Sequence, residues 1–310
     1  MIRAHGLTKH YGGRTAKIAV DGLDFEVRPG TVTGFLGPNG AGKSTTMRML
    51  LGLDAPTSGR ATVGGRSYAT HRAPLHEVGA LLEARSVHPG RSAFHHLMGL
   101  AHTHGIPRSR VEQVLGLAGI REVAARRVKG FSLGMGQRLG IAAALLGDPA
   151  TVILDEPVNG LDPEGVLWIR NLLKSLAAEG RTVLVSSHLM SEMALTAEHL
   201  VIIGRGRLLA DTTVEEFVRS SGAAAVKVVT PDAAALAERL AAPGVRVTSE
   251  TPGTLDVHGT DAEHIGRTAA AHGIPLFELT PHTGSLEQAF MDLTRDTVEY
   301  QATTLTGAAA

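Results

Sequence analysis

The sequence predicts an α/β fold over residues 1–220 and a smaller α+β domain over residues 223–294. In the first part, short apolar runs alternate with helical segments, which is the pattern of a sheet with helices between its strands. A Ser-Ser-Gly break at residues 220–222 ends that pattern. The net charge also changes sign, from +6 up to residue 220 (25 Lys and Arg, 19 Asp and Glu) to −6 after it (5 and 11). We therefore expect two separately folded regions.

The strands of the first part are predicted from continuous apolar runs, which are typical of parallel strands buried on both faces. The runs are Thr31–Leu36, Thr151–Leu154 and Thr182–Val185. A helix from Ser44 to Leu51 follows the first run, and Pro163 and Gly180 bracket another helix after the second. Residues 91–147 show helical patterns with few strand signals, so we expect a mostly helical subdomain inserted into the α/β core.

The second part follows a compact β-α-β-β-α-β order, which is the ferredoxin-like order. Its predicted elements are, in turn, Ala225–Thr230, Pro231–Ala241, Val245–Glu250, Thr254–His258, Asp261–His272 and Pro275–Thr280. A final helix is expected near Ser285–Thr294, and a disordered tail over residues 295–310. Histidines and carboxylates are scattered through this part, so the pattern favours an accessory domain without catalytic residues of its own.

Composition limits the compartment and the partners of the chain. There is no cysteine, which excludes disulfides and thiolate metal sites. The N-terminus lacks a signal-peptide pattern, and the longest apolar segment, around Ile141–Leu146, is far shorter than the ~20 residues that cross a bilayer. We therefore expect a cytoplasmic protein that acts at a membrane only through a partner. The balanced charge and the acidic C-terminal part argue against nucleic-acid binding, which depends on basic surface.

A phosphate-binding loop of the form G-x-x-x-x-G-K-[ST] follows the first apolar run. Its residues are Gly37, Pro38, Asn39, Gly40, Ala41, Gly42, Lys43 and Ser44, and Thr45 comes next. The glycines let successive backbone N–H groups face one concave nest, and the N-terminus of the following helix favours negative charge. Lys43 is expected on the β- and γ-phosphates and Ser44 on Mg²⁺. The alternative, a Gly-rich turn that resembles the motif by chance, is disfavoured by the predicted strand before it and helix after it.

Two adjacent carboxylates end the second apolar run. Asp155 is expected to hold Mg²⁺, directly or through water, and Glu156 to act as the general base that polarises an attacking water. An isolated Asp-Glu pair after a strand is usually a solvated turn. In a chain that also carries a phosphate loop, the pair predicts ATP hydrolysis.

With these motifs in this order, residues 1–220 resemble the ATP-binding-cassette family. Phe131–Met135 lies where that family has its Leu-Ser-Gly-Gly-Gln signature, and Ser132 is a good N-cap for the helix that follows. The resemblance implies that Ser132 and Gly134 face the γ-phosphate of the ATP held by an opposing subunit, where the helix dipole favours negative charge.

The same resemblance implies roles for three further residues. Tyr11 lies where the family places an aromatic side chain that stacks on adenine. Asp162 matches the loop that crosses the dimer interface, and His188, after the third apolar run, matches the histidine that contacts the γ-phosphate. Taken alone, Tyr11 would be read as core packing or as a residue at the end of a strand.

Two positions depart from the family pattern. The signature has Leu133 and Met135 in place of Gly and Gln, and Glu83 stands where a metal-sensing Gln is expected. A carboxylate is a hard oxygen ligand, so we expect Glu83 to lie in the Mg²⁺ shell. These departures and the appended C-terminal region look most like exporter subunits of the bacitracin- and daunorubicin-resistance type.

The resemblance implies an ATPase that powers a separate integral-membrane permease, located peripherally on the inner face of the cell membrane. Two copies would close head-to-tail over two ATP molecules, with Mg²⁺ in each site, and the permease would export a drug-like or amphipathic compound. The alternative is a soluble ATPase of the same family that acts on ribosomes or nucleic acid. Such relatives usually carry two cassettes or a long coiled coil, and this chain has one cassette and no sustained heptads.

Overall fold

The fold is described from a computed structural model. The structure describes residues 1–12, 17–83, 87–220, 225–249, 251–282 and 285–295. These residues form two compact units, Met1–Thr212 and Thr213–Arg295. The tail predicted from residue 295 onward lies outside the described residues after Arg295. Within the described ranges, every helix is too short or too polar to cross a membrane.

The first unit alternates strands with helices. Its strands are β1 (Ile2–Tyr11), β2 (Lys17–Val27), β3 (Val32–Leu36), β4 (Ser58–Val63), β5 (Val78–Leu81), β6 (Thr151–Leu154), β7 (Thr182–Ser186), β8 (His199–Gly204) and β9 (Arg207–Thr213). Its α-helices are α1 (Lys43–Leu50), α2 (Pro74–Glu77), α3 (Ala93–Thr103), α4 (Arg108–Leu117), α5 (Leu133–Ala144), α6 (Pro163–Ala178) and α7 (Met190–Thr196). The strands form a six-stranded sheet of order β5-β6-β7-β3-β8-β9 and a three-stranded sheet of order β2-β1-β4.

The six-stranded sheet confirms the predicted α/β class and places the functional loops. Strands β3, β6 and β7 are buried along their whole length, as continuous apolar runs predict for strands covered on both faces. The five strands from β5 to β8 in the sheet order are parallel. Phe35 pairs with Ser186, and Leu154 with Val185. The loops after β3, β6 and β7 therefore leave the sheet at one edge.

The three-stranded sheet is antiparallel and was not predicted from the sequence. Its strands have half-exposed patterns, because only one face of the sheet is covered. Ile2, Leu7 and Leu23 on that face are fully buried in the core that also holds Met47 of α1. Phe25 of β2 stacks on a phenylalanine of β3 with ring centroids 5.6 Å apart. The second sheet thus closes the core on the side of α1.

The inserted segment is helical. Residues 91–147, all of which the structure describes, contain α3, α4, α5 and two short 3₁₀ turns, and no strand. Helix α5 begins as the sequence predicts, because the Ser132 hydroxyl accepts a hydrogen bond from the Met135 N–H at 3.2 Å. Buried residues along α3, α4 and α5, among them Leu97, Val114 and Leu139, hold the three helices together.

The second unit is an antiparallel sheet with helices between its strands. Its elements are α8 (Val214–Ser220), β10 (Ala225–Val229), α9 (Ala233–Leu240), β11 (Arg246–Thr248), β12 (Thr254–His258), α10 (Ala262–Ala271), β13 (Glu278–His282) and α11 (Leu286–Thr294). The sheet order is β11-β12-β10-β13, and every neighbouring pair is antiparallel. Val228, Leu236, Val257 and Ile265 form the centre of a separate hydrophobic core.

Two boundaries in this unit differ by three residues or more from the sequence interpretation. The unit begins at Thr213, before the predicted limit at residue 220, because α8 contacts α11. Strand β13 runs over Glu278–His282 instead of Pro275–Thr280. The reason is its partner, since β10 ends at Val229, which lies opposite Glu278.

Candidate nucleotide-binding and catalytic site

The phosphate loop connects β3 to α1 and depends on its glycines. Gly40 and Gly42 have φ of 81° and 101°, in the left-handed region that other residues rarely adopt. A Cβ at Gly37 would lie 2.5 Å from the carbonyl oxygen of Ile203, and one at Gly42 would meet the carbonyl of Ala19. The loop therefore takes a tight, concave path that only this glycine pattern permits, next to the N-terminus of α1.

Lys43 reaches back over the loop. Its Nζ donates hydrogen bonds to the carbonyl oxygens of Gly37 at 2.5 Å and Pro38 at 3.3 Å. Burial lowers the pKa of Lys43, and the nearby carboxylates of Glu156 and Asp155 oppose that shift. A half-buried ammonium beside a backbone nest is a suitable donor for phosphate oxygens. The loop and Lys43 therefore fit the triphosphate of ATP.

Ser44 and Asp155 bring two hard oxygen donors together. The Ser44 hydroxyl donates to Asp155 Oδ2 at 2.9 Å, although the two residues are 111 positions apart in the chain. The other carboxylate oxygen, Oδ1, accepts a short hydrogen bond from the Ser186 hydroxyl. Hydroxyl and carboxylate oxygens beside a phosphate loop are the ligands that Mg²⁺ uses in such sites. This pair fits the metal that the sequence predicts.

Glu156 is held by its backbone in a strained conformation. Its φ is 50°, which is uncommon for a residue with a side chain. The Glu156 N–H donates to the Ser186 hydroxyl at 3.0 Å, and the Glu156 carbonyl accepts from Gln137 Nε2 at 2.9 Å. Strain of this kind persists where surrounding contacts over-determine the geometry. The contacts direct the Glu156 side chain toward the segment that follows β7.

His188 meets Glu156 directly. Its Nδ1 lies 2.7 Å from Glu156 Oε2, and its backbone N–H donates to the same oxygen at 3.3 Å. The His188 side chain is more exposed than that of Glu156, so the imidazole covers the carboxylate from the solvent side. The structure therefore places the predicted general base and the predicted phosphate-sensing histidine in one hydrogen-bonded pair.

The signature and the loop that carries Asp162 pack against each other within one chain. A Cβ at Gly134 would lie 2.7 Å from the Gly160 carbonyl oxygen, and a Cβ at Gly160 would overlap the Leu133 side chain. The departure from glycine at position 133 is accommodated because Gly160 has no side chain. Asp162 caps α6, where its Oδ1 accepts the Gly165 N–H at 3.0 Å. In the described part of the chain, no hydrogen bond joins these residues to the phosphate loop.

Tyr11 and Glu83 lie at the margins of the site. Tyr11 is 43% exposed, donates to Asp54 Oδ2 at 3.0 Å, and has Lys9 Nζ 5.1 Å from its ring centroid. Partial burial, and then the bond to Asp54, raise the pKa of Tyr11. Glu83 is exposed. It follows Leu81, whose carbonyl accepts the Asp155 N–H at 2.7 Å, so the chain that leads to Glu83 leaves the sheet beside Asp155.

Sequence reasoning missed two residues of the site, Ser186 and Gln137. Both are buried, with 0% and 4% of their surface exposed. Ser186 bonds to Asp155 and to Glu156, and Gln137 bonds to Glu156. Buried polar side chains normally have hydrogen-bond partners. A polar residue at the end of an apolar run, as Ser186 is, was the one local signal that pointed to a role.

Comparison with known proteins decides the family. Residues 20–159 match the family described as ABC transporter, and residues 224–287 match a domain of unknown function, DUF8746. The ABC transporter ATP-binding protein YhcH of Bacillus subtilis is 35% identical over 96% of this chain and 97% of its own length. This chain is an ABC transporter ATP-binding protein. As an ABC ATPase it binds and hydrolyses ATP to drive transport, as the sequence motifs predict.

One further relative and one solved structure are also similar to this ABC protein. The bacitracin transport ATP-binding protein BcrA of Bacillus licheniformis is 42% identical over 67% of this chain and 68% of its own length. This agrees with the predicted resemblance to exporter subunits of the bacitracin-resistance type. The dimeric ATP-binding cassette MJ0796, in a post-hydrolysis state with ADP and Pi, matches with a TM-score of 0.64 over 69% of this chain and 98% of that chain. At 24% identity this last likeness shows the cassette fold.

Proposed function

We propose that this ABC ATPase powers a separate integral-membrane permease that exports a drug-like or amphipathic compound. The observation that carries the proposal is the pairing of Asp155 and Glu156 with Ser44 and His188 at one edge of the sheet. The name of BcrA, a bacitracin transport ATP-binding protein, supports an exported cargo of this class. The protein would then lie in the cytoplasm, on the inner face of the cell membrane, where the permease holds it.

In this proposal each residue of the phosphate loop and its surroundings has a distinct task. Lys43 and the backbone N–H groups of residues 37–45, apart from Pro38, bind the phosphates of ATP. Ser44, Asp155 and Glu83 would hold Mg²⁺, which would neutralise charge on the phosphates. Glu156 takes the proton of the attacking water as general base, and His188 contacts the terminal phosphate. Tyr11 stacks on the adenine ring.

The active form in this proposal is a head-to-tail homodimer with two composite sites. Each site combines the phosphate loop and Glu156 of one copy with Ser132, Gly134 and Asp162 of the other. The N-terminus of α5, which Ser132 caps, favours an anion because of the helix dipole. The dimeric state in which MJ0796 was solved supports this arrangement. A heterodimer with a related subunit is the alternative.

The domain limits are also part of the proposal. The sequence predicts a cassette over residues 1–220, with its helical subdomain over 91–147, and an accessory domain over residues 223–294. We propose that the accessory domain has a ferredoxin-like fold and that it begins earlier than predicted, at Thr213 just before α8. The β-α-β-β-α-β order and the antiparallel sheet order β11-β12-β10-β13 support that fold. We propose that it stabilises the dimer or contacts a partner. A regulatory domain that senses a ligand is the alternative.

A soluble ATPase that acts on ribosomes or nucleic acid is the second candidate. The relatives named above do not favour it, since both BcrA and YhcH are named as transporter components. We therefore propose no nucleic-acid partner. The observation that separates the two candidates is the identity of the large partner that co-purifies with the tagged full chain. A polytopic membrane protein supports the permease, and a ribosome or an RNA contradicts it.

The catalytic part of the proposal is tested with Glu156→Gln. Removing the general base is expected to lower ATP turnover by about 10²- to 10⁴-fold while ATP affinity is kept. The ATP-bound dimer should become longer-lived, because the composite sites no longer reset. Phosphate release, nucleotide titration and size-exclusion chromatography with ATP measure the three effects. Glu164→Gln, an exposed carboxylate in the first turn of α6, is the control. Turnover near that of the wild type in Glu156→Gln would remove Glu156 from its role.

A further inference from the structure

One buried polar side chain joins the signature helix to the general base. Gln137 belongs to α5, whose N-cap is Ser132, and 4% of its surface is exposed. Its Nε2 donates to the carbonyl oxygen of Glu156 at 2.9 Å. The two residues lie in different loops and elements, α5 and the segment after β6. The hydrogen bond is therefore a tertiary contact, made in a place where water cannot replace it.

A second contact fixes the same helix to the same segment. Gly134, in the first turn of α5, approaches the Gly160 carbonyl so closely that a Cβ there would lie 2.7 Å from that oxygen. The Leu133 side chain also packs against Gly160. The start of α5 thus rests on residues 156–160 at two points, one polar and one of close packing. A packed interface of this kind moves as a block.

The backbone of Glu156 is held by contacts with α5 and with β7. Its left-handed φ of 50° is held by the Ser186 hydroxyl on the N–H side and by Gln137 on the carbonyl side, where the Asn159 N–H also donates at 3.2 Å. A peptide that is held in a sparsely populated conformation changes when one of its supports moves. Displacement of α5 would therefore shift the Glu156 side chain.

We propose that Gln137 is a positioning residue that transmits nucleotide binding at the N-terminus of α5 to the Glu156 of the same chain. This rests on the proposed function, because α5 meets a nucleotide only in the head-to-tail dimer. In that dimer α5 of one copy faces the ATP held by the partner's phosphate loop, while its Glu156 serves the ATP held by its own. Gln137 thus couples the two composite sites through a single hydrogen bond.

The test uses a mixed dimer in which one site is intact. One copy, isotope-labelled, carries Lys43→Ala, and the unlabelled copy carries Ser132→Arg. A non-hydrolysable ATP analogue with Mg²⁺ can then occupy only the site made from the unlabelled phosphate loop and the labelled α5. The labelled copy's own site holds both lesions. Because Asp162 of the labelled copy also belongs to the occupied site, transmission through the protein is read from the part of the slowing around Glu156 that depends on Gln137.

With Gln137 present, the analogue is expected to slow exchange in the labelled copy over residues 132–138 and also over residues 155–161, each by roughly three- to tenfold, the range that one net hydrogen bond supplies. With Gln137→Met in the labelled copy, slowing over 132–138 stays and slowing over 155–161 is lost. Gln137→Glu is the second variant, because it keeps the shape and, when ionised, cannot donate. Ile141→Val, buried in the same helix, is the control.

Three outcomes overturn the proposal in different ways. Slowing over residues 155–161 that persists in Gln137→Met and Gln137→Glu removes Gln137 from the coupling. Slowing confined to residues 132–138 with Gln137 intact shows that binding at α5 does not reach Glu156. An analogue that fails to slow exchange over residues 132–138 in any mixture contradicts the composite site itself, and with it the proposed dimer.

Discussion

Ser186 forms hydrogen bonds with both carboxylate residues of the site. Its hydroxyl donates to Asp155 Oδ1 and accepts the Glu156 N–H at 3.0 Å, and the residue is fully buried. Ser186→Ala leaves a buried N–H without its acceptor and a carboxylate oxygen without its donor. We expect a loss of about 1–3 kcal/mol in the free energy of unfolding. We also expect turnover to fall about tenfold, because the general base and the metal ligand both lose a support.

The control for this substitution is the neighbouring serine. Ser187 is also buried, but its hydroxyl accepts the Leu189 N–H at 3.0 Å and has no bond to the two carboxylates. Ser187→Ala should cost a similar amount of stability with a smaller effect on turnover. Denaturant unfolding measures the stability of the two variants, and ATPase assays measure their turnover. Equal turnover in both would show that Ser186 serves packing alone.

The residues of the site were predictable to the extent that their signals are local. The phosphate loop and the Asp155-Glu156 pair stand in short motifs beside apolar runs, so the sequence predicts their positions at the ends of strands. The contacts of Ser186 and Gln137 are different. Each joins segments 19 to 31 positions apart, and no periodicity reveals which buried serine or glutamine faces a carboxylate. The roles of all the predicted site residues, Tyr11, Glu83, Ser132 and Asp162 among them, stay predictions.

Among the elements, the start of α5 and the loop before α6 pack closely against each other. Gly160 has φ of 74° and faces the Leu133 side chain. Gly160→Ala therefore has two costs, the left-handed conformation and overlap with Leu133. We expect destabilisation by about 2–4 kcal/mol, from about 1 kcal/mol for the backbone and about 1–3 kcal/mol for the overlap. Adding Leu133→Gly removes the overlap, so the double variant should regain only the stability that the overlap cost.

A second glycine separates the two costs. Gly180 has φ of 85°, and a Cβ built on it meets nothing within 4 Å. Gly180→Ala should therefore show the backbone cost without the overlap. Thermal and denaturant unfolding of the single variants and of the Gly160→Ala, Leu133→Gly pair give the coupling energy between the two positions. Additive effects within about 0.5 kcal/mol would contradict the packing of Leu133 on Gly160.

Elements were predicted correctly where the sequence pattern of a single segment is enough to identify the element. Runs that are apolar throughout predicted β3, β6 and β7, and the structure confirms them as buried parallel strands. The sheet of β1, β2 and β4 escaped prediction because its strands expose one face and bulge at several points, which blurs the alternation. Strand β4 is also distant in the chain from its partner β1, since Thr8 pairs with Ser58.

For the whole molecule, the division at Thr213 makes a prediction about shortened chains. Helix α8 carries Phe217, which is buried in the full chain, and α8 contacts α11. A chain that ends at Thr213 should bind ATP with the affinity of the full chain and melt cooperatively. A chain that ends at Ser220 keeps α8 without α11, exposes Phe217, and should aggregate more readily. Nucleotide titration and light scattering compare the two. Loss of ATP binding in the shorter chain would show that the units are not separable.

The central claim for the whole molecule is that two copies hydrolyse ATP in shared sites. Lys43→Ala and Ser132→Arg damage both sites of their own homodimers. In a head-to-tail dimer of one of each, one site carries both lesions and the other carries none. An equal mixture should therefore regain up to about a quarter of the wild-type ATPase rate, because about half of the dimers are mixed and each has one intact site. A mixture no more active than either variant alone contradicts the account.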